Sequence, residues 1–389
     1  MIYTFRCTCV AMKIERKTAA TLAFGIIFGL LFECVTSLTI AYAQGAGWKE
    51  RWDKVLSGAK KEGSVVVWGP RGDLIRNAIG GGFKKAFPDL DIEYLAGGGS
   101  ELAAKARAER AGGLYSVDIV LSGSTTAIWY FKPMGALEPI EPALILPEVT
   151  DAKQWRDGRL EFSDESTRLN LVFITHAQFP LIYYPPQVKP DEIDEIYDLL
   201  EAKWKGKIVM SDPLPSGPGN SVMRLIWENF GPEKATEYYK GFRAQLAAVD
   251  RDPRRLIEWV AQGRYAIGVG ANSSIVEQLQ KRGLVVGVMP HFKDIGTHVG
   301  ASSGTIMLMN KAPHPAAATV FINWLLSRDG QTRWTKAVND LSRRLDVPSD
   351  SVPSYRIIKP GVKYWRGYLE KNVPRSEEEE KILKELFSK

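Results

Sequence analysis

The stretch GKIVMSDPLPSGPGNSVMRLIWENFG, Gly206 to Gly231, constrains the fold more than any other part of the chain. Lys207 to Met210 reads as a short apolar strand. Asp212-Pro213 and Pro215-Ser216-Gly217-Pro218-Gly219 are turn chemistry, because proline presets φ and glycine permits φ > 0. Asn220 or Ser221 can then cap a helix whose apolar residues Val222, Leu225, Ile226 and Phe230 follow helical spacing. Gly231-Pro232 stops it. A strand, a loop of small residues and a bare helix N-terminus bring free backbone N–H groups and the positive end of a helix dipole to one place, which suits an anion. Alone, such a stretch is an ordinary strand-to-helix connection. Its weight comes from recurrence.

The same arrangement repeats before and after it. Residues 48–61 read as a helix. Ser64 to Trp68 form a strand, Gly69-Pro70-Arg71-Gly72 a loop and Asp73 to Phe87 a helix. Asp91 to Leu95 form the next strand. Gly97-Gly98-Gly99-Ser100 then leads into a helix, Glu101 to Ala111, capped by Ser100, with Glu101 and Lys105 spaced to pair. Val117 to Leu121 form a third strand, followed by Ser122-Gly123-Ser124-Thr125-Thr126 and a further helix. Three such units in a row imply a parallel sheet with right-handed crossovers, whose loops gather beyond the strands' C-terminal ends. Residues 139–166 read as loop with short helices. Leu169 to Thr175 and Leu181 to Tyr184 read as an antiparallel pair crossing to a second lobe. That lobe holds the Gly206–Gly231 stretch and helices over 233–247 and, capped by Asp252, over 254–262. A strand over 265–269 enters Gly270-Ala271-Asn272-Ser273-Ser274 and another helix, and a strand over 284–289 follows. Thr305 to Met309 reads as a strand back in the first lobe. Ala316 to Leu326 is an apolar helix. The charged helix over 376–388 opens with Glu377 to Glu380, read as a solvated first turn.

At 389 residues the chain can bury a large core in two domains. Hydrophobic residues at 45% and charged residues at 25% are ordinary globular values, against both a disordered chain and a multispanning one. The net charge of +6 is scattered among 45 acidic residues without a basic run interleaved with aromatics, so no nucleic-acid partner is expected. Cys7, Cys9 and Cys34 all fall within the first 43 residues, with Lys13, Arg16 and Lys17 and an apolar run to Ala43. That is the pattern of a secretory signal, cleaved near Ala43 after the small-x-small Ala41-Tyr42-Ala43; the run is also long enough for an uncleaved anchor. Translation starts at Met1 or Met12. A cleaved product would lack cysteine and carry a net charge of +4, since residues 1–43 hold four basic and two acidic residues.

Catalytic patterns are sparse. Gly300-Ala301-Ser302-Ser303-Gly304 matches G-x-S-x-G, but no strand is evident before it and a strand rather than a helix follows. His176, His291, His298 and His314 show no metal-ligand spacing, and no phosphate-binding nucleotide motif appears. Two tyrosine pairs, Tyr183-Tyr184 and Tyr238-Tyr239, have the chemistry to bind Fe(III), yet both sit where core packing explains them. No catalytic residue, metal ligand or cofactor is therefore assigned.

Taken in order, GSVVVWG, GGGSELAAKARAERAGG, VDIVLSGS, WKGKIVMSDPLPSGPG, GRYAIGVGANSS, MNKAPHPAAATVFINWLLSRDGQ and LSRRLDVP resemble the extracellular solute-binding proteins of ABC transporters, in the group that contains the ferric-iron-binding proteins. The resemblance implies an α/β, type II periplasmic-binding-protein fold: two α/β lobes joined by two β crossover strands, with ligand clamped between. Lobe 1 would comprise residues 44–168 and 302–353, and lobe 2 residues 169–301 and 354–389. Iron-binding members carry two neighbouring tyrosines where this chain has Gly270-Ala271-Asn272-Ser273-Ser274, and a histidine where it has Gly69-Pro70-Arg71; a family glutamate falls near Glu109. Neutral Asn and Ser suit hard Fe(III) poorly. Arg71 suits a carboxylate, phosphonate, phosphate ester or anionic chelate.

The expectation is a periplasmic binding protein, acting as a monomer, that delivers a small anionic solute to ABC permease subunits in the inner membrane. The expected donors are Arg71; Gly98, Gly99 and Ser100; Ser122, Ser124 and Thr125; Ser216, Gly217, Gly219 and Asn220; and Asn272 with Ser273. The rivals are a ferric-iron binder with atypical ligands, an exported serine hydrolase using Ser302, and a sensory module for a membrane kinase.

Overall fold

The computed structural model describes residues 47–189, 191–215 and 217–388. The leader expected in residues 1–43, its three cysteines and Ser216 lie outside the described residues. Residues 55–389 form one compact unit; of the unit before it, residues 47–54 are described and are helical.

Helix α1 covers residues 47–62. Three strand–helix units follow. β1 (Ser64–Gly69) leads to α2 (Asp73–Ala86), β2 (Asp91–Ala96) to α3 (Gly99–Ala111), and β3 (Ile119–Ser122) to α4 (Ser124–Thr126), which widens into a π turn over Ala127–Phe131. β1 pairs in parallel with both β2 and β3. α3 departs from its sequence reading: it starts at Gly99, ahead of the serine expected to cap it. A Cβ at position 99 would collide with Thr126 Oγ1 and Ser122 Oγ, so the first turn needs glycine there. Glu101 turns back to accept from the Gly98 N–H at 3.2 Å and to pair with Arg71, and Lys105 pairs with Glu109 instead.

Short elements follow: β4 (Leu137–Glu138), α5 (Pro147–Thr150), β5 (Glu161–Phe162), β6 (Asn170–Val172), β7 (His176–Ala177) and β8 (Leu181–Tyr183). The expected pairing of 169–175 with 181–184 does not form. β6 lies between β14 and β5 in one sheet, β8 between β11 and β12 in another, and β7 joins a third. Each run gains two strand neighbours in its own sheet, where a hairpin would offer one.

The second series is β9 (Ile208–Ser211), α6 (Pro218–Gln245), β10 (Leu246–Asp250), α7 (Pro253–Ala261), β11 (Ile267–Val269), α8 (Ser273–Gln280) and β12 (Gly287–Met289). α6 begins at Pro218, not at an Asn220 or Ser221 cap; proline presets helical φ and has no N–H to leave unpaired. At Gly231 the backbone leaves helical space (φ 74°, ψ 172°), so α6 is two segments meeting at the stop read from the sequence. The chain closes with β13 (Thr297–Gly300), β14 (Thr305–Met309), α9 (Pro315–Leu326), α10 (Arg328–Val338), β15 (Tyr364–Arg366) and α11 (Glu377–Phe387).

The first sheet has the order β2-β1-β3-β14-β6-β5, with β4 on β14; the second has the order β10-β9-β11-β8-β12. Both follow one plan: three parallel strands, then a strand returned antiparallel, β14 beside β3 and β8 beside β11. A small sheet, β15-β13-β7, lies outside both. α9 seats Val320, Phe321, Ile322 and Leu325 wholly in the first lobe's core, each worth about 1.5–3 kcal/mol. The second core gathers Trp204, Met223, Tyr238, Tyr239 and Phe242 with Leu383 and Phe387 of α11. The Glu377–Glu380 turn is not wholly solvated: Glu379 is fully buried, because α11 lies along α6 and turns this residue inward.

Candidate functional site

Loops that follow the parallel strands of both lobes face a cleft of about 550 Å³. The first lobe supplies Gly123, Ser124, Thr125 and Trp129 from the end of β3. The second supplies Pro218, Asn220 and Ser221 at the start of α6, and Asn272, Ser273 and Ser274 at the start of α8. Two glycines let these second-lobe loops meet. A Cβ on Gly270 (φ 73°) would stand 2.6 Å from Gly219 Cα, and one on Gly219 would overlap the Ser211 carbonyl. The Asn272 side chain caps α8 by accepting from Ile275 N–H at 3.1 Å.

Of the residues singled out from the sequence, Ser124, Thr125, Asn220, Asn272 and Ser273 line the cleft. Gly217 and Gly219 lie one residue either side of lining Pro218. Ser122, Gly98, Gly99 and Ser100 do not line the cleft; the Gly99 backbone lies against Ser122 and Thr126. Arg71 is an exposed residue paired with Glu101 and does not line the cleft. Glu109 is held by Lys105 and by Ser116 Oγ at 2.6 Å.

Sequence reasoning missed the third wall. β15 and the segment after it bring Trp365, Gly367, Tyr368, Asn372, Val373 and Arg375 to the cleft, and α11 adds Glu380. Arg224, half-way along the first segment of α6, fastens this segment: it donates to the carbonyls of Pro374 and Asn372 and lies 5.5 Å from the Trp365 ring. Arg366 ties the segment to the first lobe through Glu161 and Asp157, both at 2.7 Å. Arg375 donates to the Pro213 carbonyl and, through Nε at 2.8 Å, to the Asn220 side-chain oxygen. No local pattern marks these residues, since an arginine in a helix interior or a Trp in a short strand is ordinary.

Five residues that line the cleft each hold a buried polar atom with no hydrogen-bond partner: Ser124 Oγ, Arg224 Nε, His298 Nδ1, Trp365 Nε1 and Tyr368 OH. Burial pushes the Tyr368 phenol up, so it stays protonated. Burial, then His176, pushes His298 down to about 3, so its ring is neutral. Burial lowers Arg375, which still carries its charge near neutral pH. Arg224 is paired with Glu228 at 3.2 Å and Lys384 holds Glu380 at 2.6 Å, so among the described residues of this wall Arg375 is the cation without an ion-pair partner.

The tyrosine pairs do not reach the cleft. Tyr238 and Tyr239 are core residues bonded to the carbonyls of Ile196 and Met223, and burial holds both phenols protonated. Ser302 does reach it, at a φ of 43°, and β13 precedes the G-x-S-x-G stretch where the sequence showed no strand. His176 Nε2 stands 3.5 Å from Ser302 Oγ, and His176 Nδ1 stands 2.7 Å from Asp340 Oδ1. This trio is not aligned for nucleophilic catalysis. The His176–Asp340 approach lacks hydrogen-bond geometry, Gln178 occupies Nε2, Arg356 shares Asp340 at 3.4 Å, and strand β14 follows in place of the helix that would supply oxyanion donors.

Residues 69–332 match the family described as bacterial extracellular solute-binding protein. Iron uptake protein A1 of Synechocystis sp. is 23% identical over 255 residues, 62% of this chain and 65% of that protein. A putative 2-aminoethylphosphonate-binding periplasmic protein of Salmonella typhi is 28% identical over 158 residues, 40% of this chain and 46% of that protein. The chain thus spans less than two thirds of either relative. The structure of a Trichodesmium protein in complex with iron and citrate ligands superposes with a TM-score of 0.64 at 22% identity, over 84% of this chain and 100% of that one. The fold is the type II periplasmic-binding fold, two α/β lobes joined by β crossovers.

Proposed function

This chain belongs to the bacterial extracellular solute-binding protein family, and from that premise we propose that it captures a small organic anion between its lobes and hands it unaltered to an ABC permease. One observation carries the reading of the ligand. One cleft gathers hydroxyl, amide and indole side chains from both lobes around the Arg375 guanidinium. A hydrogen bond to a charged group contributes about 1.5–3 kcal/mol, so an anion that meets several of these donors gains affinity there. The first-turn N–H groups of α6 and α8 face the same space and favour negative charge by ~1 kcal/mol each.

The chemistry of the wall favours a phosphonate, phosphate ester or carboxylate over bare ferric iron. Asn272 and Ser273 are neutral, and Tyr368 keeps its proton. A ferric ion needs anionic oxygen, which here arrives only with a chelating anion. Trp129, Trp365 and Tyr368 offer apolar faces to an organic body, and the cleft has room for one. Ligand touching both lobes binds the closed form better and shifts the population toward it. Signal-directed export, action as a monomer and docking of the closed form on the permease complete the proposal. Among the described residues no helix is long and apolar enough to cross a membrane.

The test is a titration followed by tryptophan fluorescence, with Trp129 and Trp365 as reporters. The ligands are 2-aminoethylphosphonate, inorganic phosphate, citrate, ferric citrate and ferric chloride. The expected result is micromolar affinity, about −8 kcal/mol, for at least one anion. Binding of ferric chloride alone, with the colour of tyrosinate-to-iron charge transfer, overturns the reading.

A further inference from the structure

Beneath the positive wall lies a carboxylate that anion capture does not use. Glu379, in the first turn of α11, is fully buried. Its Oε2 stands 3.5 Å from Arg224 Nε without forming a hydrogen bond, and its Oε1 lies 3.4 Å from Tyr239 OH, whose proton goes to the Met223 carbonyl at 2.6 Å. Arg224 and Arg375 both line the cleft, and both act on Glu379 as neighbouring positive charges.

The other groups facing Glu379 are accounted for. From α6, Glu228 accepts from Arg224 Nη2 at 3.2 Å and opposes ionisation of Glu379. Tyr239, from the second segment of α6, is a neutral phenol. On α11 itself, Glu380 is tied to Lys384. The charge of Glu379 is therefore set by burial on one side and by the two cleft guanidinium groups on the other.

Resting on the reading of the cleft as an anion site, we propose that Glu379 takes up a proton as an anion enters, so that anion affinity rises as the medium becomes more acidic. In the empty cleft the carboxylate is supported by Arg224 and Arg375. An anion beside those guanidinium groups opposes that support through its own charge. A buried carboxylate without support is costly, and protonation removes the cost. Linkage makes the effect reciprocal: if the anion favours the proton, the proton favours the anion by the same factor. Burial outweighs the two cations and pushes Glu379 up to about 7, so the proton can be gained or lost at physiological pH.

Calorimetry with inorganic phosphate tests this at about pH 7.5, in two buffers of different ionisation heat, on wild type and Glu379→Gln. Wild type should take up more protons per phosphate bound than the variant, by up to about three quarters of a proton, since a carboxyl titrating near 7 is already about one quarter protonated at that pH. Glu379→Gln should bind phosphate several-fold tighter than wild type near pH 8, with the difference closing toward pH 6. The infrared difference spectrum of wild type with and without phosphate should gain a protonated carboxyl band, a readout that stands if the variant does not fold. Equal proton counts, or phosphate binding without that band, overturn the proposal and leave the anion reading intact. Failure of both proteins to bind phosphate overturns the anion reading, and this proposal with it.

Discussion

The proposed anion capture turns on Arg375. This arginine is half-buried, it lines the cleft, and its protein partners are a carbonyl and an amide oxygen rather than a carboxylate, so its charge is available to a ligand. Arg375→Ala should weaken anion binding by about 10–100-fold while changing folding stability by less than about 1 kcal/mol, read by titration and by denaturant unfolding. Arg71→Ala, by contrast, should leave affinity within about two-fold, since Arg71 is committed to Glu101 away from the wall. Glu379 leaves a signature without any ligand. Its folded-state pKa, about 7, lies above the ordinary 4.5, so the folded protein holds the proton more tightly than the unfolded chain. The contribution is fully favourable below about pH 4.5 and is lost as pH rises through 7, at most about 3 kcal/mol, and Glu379→Gln should abolish that slope in unfolding free energy. The cleft residues that were legible, Ser124, Thr125, Asn220, Asn272 and Ser273, sit in loops of small residues after strands, which announce themselves locally. Arg224, His298, Trp365, Tyr368 and Arg375 do not, because only the folding of distant segments against one another gives them a common wall. Arg71 looked available because Glu101 is 30 residues away in sequence and one loop away in space.

At the scale of elements, the β/α units could be read directly, since the strands are short apolar runs and α1, α3 and α7 end beside Gly63, Gly112 and Gly263. The crossovers could not. β6, β7 and β8 are two or three residues long, and their pairing is decided by which sheet offers cover, not by their own composition. The start of α6 was placed by cap preference at Asn220 or Ser221, whereas contact with Ser211 and Gly270 fixes it at Pro218. That contact gives a sharp test. Gly219→Ala puts a methyl group into backbone that cannot move aside, so it should destabilise the protein by about 1–3 kcal/mol and weaken anion binding in parallel, as α6 and α8 separate. Gly81→Ala, at ordinary φ in α2 and with open space around the added Cβ, serves as the control for the methyl group itself.

At the scale of the whole molecule, two lobes of like plan flank a cleft whose third wall is strapped to both. Arg366 reaches Glu161 and Asp157 on one side, and Arg224 grips the Pro374 and Asn372 carbonyls on the other. Binding should draw the lobes together, seen as a fall in the radius of gyration by solution scattering when a bound anion is added, and no change when it is withheld. The two-lobe plan was visible in the sequence because it is written twice; the strap was not, because nothing in residues 364–375 repeats. The measurement that tests the central claim most directly is mass spectrometry of small molecules released by denaturing the protein purified from its native export route. The account expects an intact phosphonate, phosphate ester or carboxylate in near-stoichiometric amount, lost in Arg375→Ala. Ferric iron without an organic anion, or the acyl product of Ser302 chemistry, would contradict it.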